Sequence, residues 1–305
     1  MRGYNIRDNQ PITDDDIRSF ALTLKTHKIK YAYLFAGPFN VDGTLPEYPF
    51  SARAQKSVAL LKKLYPELKI LPWIGGVQNK QLYLGDSLWV ANALFDTKRL
   101  IDSLQVPGVH VDFEYILKGE PALDSTTLAE KPGDVNSYGR NVNEFHRKLR
   151  KILPDSFISS VVVSTSPKTK HWKRKTTNQE IKTLINYVDQ LSFLFYDTSI
   201  TDQDVFNESC NYLLRDIQTL NSIRDIQYLI GIGTFVNDKE LQKYRNMEIE
   251  NISNSLQTVS RGLASIETSE NYLNGIAIAC YWTTSDFDWR AFDKYWVKPK
   301  TSSVP

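Results

Sequence analysis

Short apolar runs alternate with amphipathic stretches along the whole chain. Eight of the runs read as strands: RGYNI from Arg2, IKYAYLFAGPF from Ile29, KILPWIGG from Lys69, GVHVDFEYI from Gly108, FISSVVVSTS from Phe157, QLSFLFYDTS from Gln190, IQYLIGIGTF from Ile226 and LNGIAIACYW from Leu273. The stretches between them carry helical spacing. Thr13 and Asp16 stand at capping-box distance ahead of a face of Ile17, Phe20 and Leu24. Val58, Leu61 and Tyr65 form a stripe that Pro66 stops, and Phe145, Leu149 and Ile152 form another before Pro154. Strand and helix in repeated alternation predict a parallel sheet with crossover helices. Eight units in 305 residues suit a (β/α)8 TIM barrel in a single domain over residues 1–297, with 298–305 as a flexible tail. An open, doubly wound sheet is the alternative.

One strand breaks the apolar rule. In GVHVDFEYI, side chains alternate faces, so Val109, Val111, Phe113 and Tyr115 share one side and His110, Asp112 and Glu114 the other. Read alone, that is a strand with one face in water. A barrel strand has no wet face, because helices cover the outside and side chains fill the inside. There the three ionisable groups must rise through the interior toward the C-terminal mouth. Two carboxylates so placed shift each other's pKa, and the upper one can keep its proton at neutral pH and act as a general acid.

Composition narrows the function classes. With 37 basic and 35 acidic residues the net charge is +2, so no global field favours nucleic acid or an anionic membrane. The basic loop PKTKHWKRK from Pro167, with Trp172 inside it, reads as a solvated rim. No apolar run reaches membrane-spanning length, and no basic-then-apolar signal segment opens the chain. Cys210 and Cys280 make no disulfide framework and read as free thiols. No His/Cys/Asp group has metal spacing, and no cofactor motif is present: Gly231 and Gly233 in GIGTF lack the third glycine of a nucleotide loop and suit tight packing instead. The sequons at Asn207 and Asn251 read as chance matches. The 16 Tyr, 14 Phe and 6 Trp supply a core and also the flat faces that sugar-binding clefts use.

GVHVDFEY resembles the fourth-strand signature DGxDxDxE of family 18 glycoside hydrolases, the chitinase-like enzymes. IKYAYLFAGPFNVDGTL resembles that family's second strand and its following turn, and LPWIGG its third-strand SxGG, with Gly75 and Gly76 kept and Trp73 at the serine. LSFLFYD resembles MxYD, giving Tyr196 and Asp197, and IACYW followed by SDFDW resembles the eighth strand, giving Trp282. Five motifs in register cover nearly the whole chain. The resemblance implies hydrolysis of β-linked N-acetylglucosamine glycans (chitin-like, peptidoglycan or N-glycan core) with retention. The substrate's own acetamido carbonyl would be the nucleophile, an exception to the two-carboxylate scheme. It implies Glu114 as general acid/base, Asp112 holding the acetamido N–H, Tyr196 donating to the acetamido oxygen, Asp197 supporting sugar hydroxyls and Trp282 flooring the subsite. Gly75 and Gly76 would line the substrate.

The departures are equally specific. The signature's first two acids fall on Pro107 and His110. His110 replaces the residue that shares a proton with the position of Asp112; it can donate to Asp112 and, if protonated, would hold it as an anion. A catalytically weak or inactive, lectin-like carbohydrate-binding barrel is therefore the alternative, and a two-carboxylate hydrolase of another barrel family is a third reading. After Phe235 there is room for about one helix-and-loop unit, so the small α+β insertion of many chitinases is not expected and the cleft should be shallow. The expected partner is a glycan, with no nucleic acid and no membrane, and the expected state is a monomer. Localisation stays open; a secreted or cell-envelope site would follow if an N-terminal signal had been removed.

Overall fold

The computed structural model describes residues 12–78, 80–115, 134–163, 176–236, 242, 245–266 and 272–298. The chain divides into two compact units. The first holds residues 1–116, 120–161 and 187–189, the second 117–119, 162–186 and 190–305. Both are α/β, and every described strand pairing is parallel.

In the first unit the strands are β1 (Tyr31–Phe35), β2 (Lys69–Val77), β3 (Gly108–Glu114) and β4 (Phe157–Val163), whose last two residues fall in the second unit. They lie in chain order, with β2 between β1 and β3, and β4 on the far side of β3. The helices are α1 (Asp14–Thr26), α2 (Ala52–Leu64), α3 (Ser87–Leu104) and α4 (Asp134–Ile152). Their ends follow from capping chemistry. Thr13 accepts from the Asp16 N–H while the Asp16 carboxylate takes the Thr13 N–H, the capping box that the spacing predicts. Ser51 caps α2 and Asp86 caps α3. Ile17 and Leu24 are buried, as are Val58, Leu61 and Tyr65. The α4 stripe needs one correction: Phe145 and Leu149 are buried, but Ile152 is 36% exposed and Leu153, one residue on, takes the buried place.

In the second unit, β5 (Gln190–Leu194), β6 (Gln227–Gly233) and β7 (Gly275–Ala279) pair in chain order, with α5 (Asn178–Leu184), α6 (Gln203–Ile223), α7 (Ile252–Ser265) and α8 (Asp286–Phe292) before, between and after them. β5 is buried along its length, as a strand covered on both faces must be; its polar Gln190 and Ser192 are buried with the rest, and Gln190 donates to the Gln227 side chain at 2.9 Å. β7 is half-buried throughout; among the described strands it has a single neighbour, β6. One helix, α7, is described between β6 and β7. Gly233 leaves room for the Phe235 ring, whose nearest carbon would lie 2.2 Å from a Cβ there. Asn207 and Asn251 are both occupied structurally: Asn207 Oδ1 accepts from Thr258, and Asn251 caps α7.

Seven of the eight expected strands are thus present. The first, RGYNI, lies outside the described residues, as do residues 299–305 of the tail and the basic loop from Pro167. The strand expected as the fourth is β3.

Candidate active site

β3 is built on strict alternation. Val109 and Val111 are fully buried, and Phe113 and Tyr115 nearly so. Their side meets α4: the Phe113 and Phe145 rings pack edge to face at 4.9 Å, and Tyr115 and Tyr138 at 5.1 Å. His110, Asp112 and Glu114 therefore share the opposite face, as the sequence pattern requires. Beside them, β2 places Trp73 next to His110, Gly75 next to Asp112 and Val77 next to Glu114.

The glycines have a steric reason of their own. A Cβ at Gly75 would stand 1.9 Å from the Asp112 carbonyl oxygen, so only glycine lets the two backbones run this close. Gly76 has φ +149°, and a Cβ there would meet Gln81 Cβ at 2.8 Å. Neither position needs a ligand to explain its residue.

The polar face is held by uncharged donors. The Trp73 indole N–H donates to Asp112 Oδ2 at 3.0 Å. Asp112 Oδ1 is out of solvent and has no hydrogen-bond partner among the described residues. Burial pushes the carboxyl up to about 7, and the indole bond only partly opposes it. His110 is 5% exposed, and burial pushes its imidazole down to about 3, so it is neutral at physiological pH. Its Nδ1 pairs with the Ser159 hydroxyl of β4 at 2.8 Å, and its ring stacks on Tyr33 of β1 at 3.9 Å. Two expectations are corrected here. His110 does not bond Asp112, because its ring is committed to β4 and β1. It does not hold Asp112 as an anion, because an imidazolium is too costly in this interior.

The second unit carries a different cluster. Tyr196 and Asp197 follow β5, and Asp197 takes the left-handed conformation with φ 58°. Asp197 is 7% exposed and forms a close ion pair with Arg245, Nε to Oδ1 at 2.5 Å, without the alignment of a hydrogen bond. The guanidinium lies 3.8 Å from the Phe235 ring centre and 5.8 Å from that of Tyr196. Glu250, buried, accepts from the Thr198 hydroxyl at 2.6 Å. Burial raises Asp197 to about 7 against the pull of Arg245, and Glu250 adds to the rise. Glu250 is itself raised by burial. Trp282 stands half-buried in the turn Tyr281–Thr283 directly after β7. The turn is gathered by Thr234, whose hydroxyl lies within hydrogen-bond distance of Thr283 and Thr284.

The structure therefore brings His110, Asp112, Glu114 and Gly75 together in the first unit, and Tyr196 with Asp197 in the second. In the sequence Trp73 reads only as a departure from a motif, and no motif marks Arg245, Glu250 or Thr198. For Trp73 a signal existed: in a parallel pair its parity puts it on the face of His110 and Asp112. Arg245 and Glu250 lie between β6 and α7 in no periodic pattern. Among the described residues no group of His, Cys, Asp and Glu could hold a metal ion, and no helix is long and apolar enough to cross a membrane.

No family model matches the sequence, and no curated protein does. Solved structures do. A chitinase from Chromobacterium violaceum superposes with a TM-score of 0.59 at 14% identity, over 90% of this chain and 94% of that one. The spore cortex-lytic enzyme SleL of Bacillus megaterium gives 0.59 at 12%, over 96% and 73%. A class V chitinase from Pseudomonas fluorescens gives 0.56 at 12%, over 92% and 97%. The chain has the fold of these chitinase-like proteins.

Proposed function

We propose that the chain is a family-18-type glycoside hydrolase that cleaves β-linked N-acetylglucosamine glycans with retention, using the substrate's acetamido group as nucleophile. The observation that carries this reading is the face of β3: Asp112 and Glu114 two residues apart at the C-terminal end of a parallel strand, beside a glycine that admits no side chain. That is the end at which parallel α/β barrels carry chemistry. The chitinase and cortex-lytic names among the structural neighbours support the substrate class.

In this reading the fold is a (β/α)8 barrel. Glu114 protonates the glycosidic oxygen and later takes a proton from water. Asp112 Oδ1 accepts the acetamido N–H and steadies the oxazolinium charge. The Tyr196 hydroxyl donates to the acetamido oxygen, Asp197 supports a sugar hydroxyl and Trp282 floors the subsite. Gly75 and Gly76 keep the floor low. The protein acts as a monomer and needs no cofactor.

One observation favours a second reading. The residue beneath Asp112 is a neutral histidine engaged elsewhere, so the proton-sharing partner of the family signature is missing. A carbohydrate-binding barrel with weak or no cleavage would tolerate that loss. Hydrolysis assays on chitin oligomers, peptidoglycan and N-glycan cores, with Glu114→Gln in parallel, separate the two. The hydrolase reading expects cleavage of one class and a loss of about 10²–10⁴-fold in kcat for the variant. Binding without cleavage of any of them overturns it in favour of the second, and equal cleavage by both proteins removes Glu114 as the acid. Inhibition by a thiazoline mimic of the oxazolinium tests the substrate-assisted step.

A further inference from the structure

We propose that Trp73 is a positioning residue: its indole N–H commits Asp112 Oδ2 and leaves Oδ1 as the one oxygen free to take a ligand's donor or to carry a proton. The inference rests on the reading of β3 as the catalytic strand, and its main test does not depend on catalysis.

Among the described residues, Trp73 alone is seen donating to Asp112. On its own strand, His110 lies two residues below and is neutral, turned to Ser159 and Tyr33, while Glu114 lies two residues above on the same face. On β2 the adjoining residues are Trp73 and Gly75, neither ionisable. β1 contributes Tyr33, whose phenol burial holds far above its usual range, and β4 contributes Ser159. No cation faces Asp112 among the described residues. Its described hydrogen bond is the one from Trp73, at 3.0 Å.

An indole N–H donates, never accepts and never ionises. It stabilises a lone pair on Oδ2 and therefore disfavours a proton there. When Asp112 is protonated, the proton sits on Oδ1; when it is ionised, Oδ1 is the bare acceptor. The carboxylate thus has two chemically distinct oxygens, distinguished by a tryptophan. The indole is itself held: the Phe35 ring meets it edge to face at 5.1 Å, so it has little freedom to follow Asp112 if the carboxylate swings.

The test is a pH titration of 15N-labelled protein, read at the tryptophan indole N–H resonances. Trp73→Phe assigns the Trp73 signal and keeps an aromatic ring against Phe35. The expected result is that the Trp73 signal titrates near pH 7, where burial places Asp112, and stops titrating in Asp112→Asn. A Trp73 signal flat between pH 5 and 9 overturns the proposal, as does one that still titrates in Asp112→Asn. If a substrate is cleaved, Trp73→Phe should lower kcat/KM by about ten- to a hundredfold, the loss of one hydrogen bond to a charged group. It should also move the acid limb of the pH–rate profile to higher pH, because the anion loses its donor. An unchanged profile overturns the positioning role. Should no glycan be cleaved, the titration still decides the proposal, so its failure and that of the hydrolase reading are distinguishable.

Discussion

Two buried aspartates, Asp112 in the first unit and Asp197 in the second, reach the same pKa of about 7 by different routes. Asp112 has no cation beside it among the described residues, and its described hydrogen bond comes from the neutral indole of Trp73. Asp197 has a full cation beside it, yet deep burial, with the neighbouring Glu250, outweighs that attraction. The difference teaches that a shifted carboxylate is not one kind of object. Asp112 can take up a proton without stranding a cation. Asp197 belongs to a set of two acids and one arginine, in which a change at one member alters the balance for the others. The first arrangement suits a group that must trade a proton; the second suits a rigid support.

The largest expected effect separates the two directly. Arg245→Met removes the cation paired with Asp197 and leaves both acids buried, and should cost about 3–5 kcal/mol of stability. Trp73→Phe removes only a neutral donor and should cost about 1–3 kcal/mol. Urea denaturation at pH 7.5 measures both. Equal losses would show that the two aspartates are held alike, against the contrast between them.

A smaller effect appears with pH. A carboxyl raised in the fold keeps its proton where the unfolded chain has already lost it. The native state then binds more protons than the unfolded one, so stability falls as pH rises from about 4 to 7. For Asp112, replacing the acid by Asn removes that penalty. The melting temperature of Asp112→Asn should gain on wild type as pH rises, by the equivalent of about 1–2 kcal/mol between pH 5 and 7. Asp197→Asn should show a similar gain with pH, because Asp197 is raised as far, but from a lower starting point at every pH, because Arg245 then loses its partner. The offset separates the two sites: an Asp197→Asn variant as stable as Asp112→Asn at pH 5 would contradict the distinction.

The smallest effect concerns His110. His110→Asp places beneath Asp112 the acid that the family 18 signature has there, at a site already short of counter-charge. The pH–rate profile of cleavage should move relative to wild type; an unchanged profile would mean that His110 serves only its bond to Ser159.

Much of the fold and one face of the site are legible in the amino-acid sequence. The period-2 alternation of β3 assigns its faces because an apolar side must meet helices, and Phe113 and Tyr115 do meet α4. The Thr13–Asp16 box, the Val58–Leu61–Tyr65 stripe and the run of parallel strands follow from local rules of the same kind. The partners are not legible. Whether His110 reaches Asp112 or Ser159 depends on the Tyr33 ring and the β4 hydroxyl, contacts made by residues 77 and 49 positions away along the chain. Arg245 reaches Asp197 across 48 positions from an aperiodic stretch. Motif reading marks Trp73 as a misfit; only the register of β2 against β3 shows that it donates to Asp112.

For anyone reshaping this protein, Gly75 is a hidden coupling. A methyl group there collides with the Asp112 backbone, and the relief available is for β2 to shift away from β3. Trp73 lies two residues back on that strand and would be carried along. A library that varies Gly75 in the hope of new glycan contacts would therefore detune Asp112 from behind, and its losses would resemble those of a tryptophan it never touched.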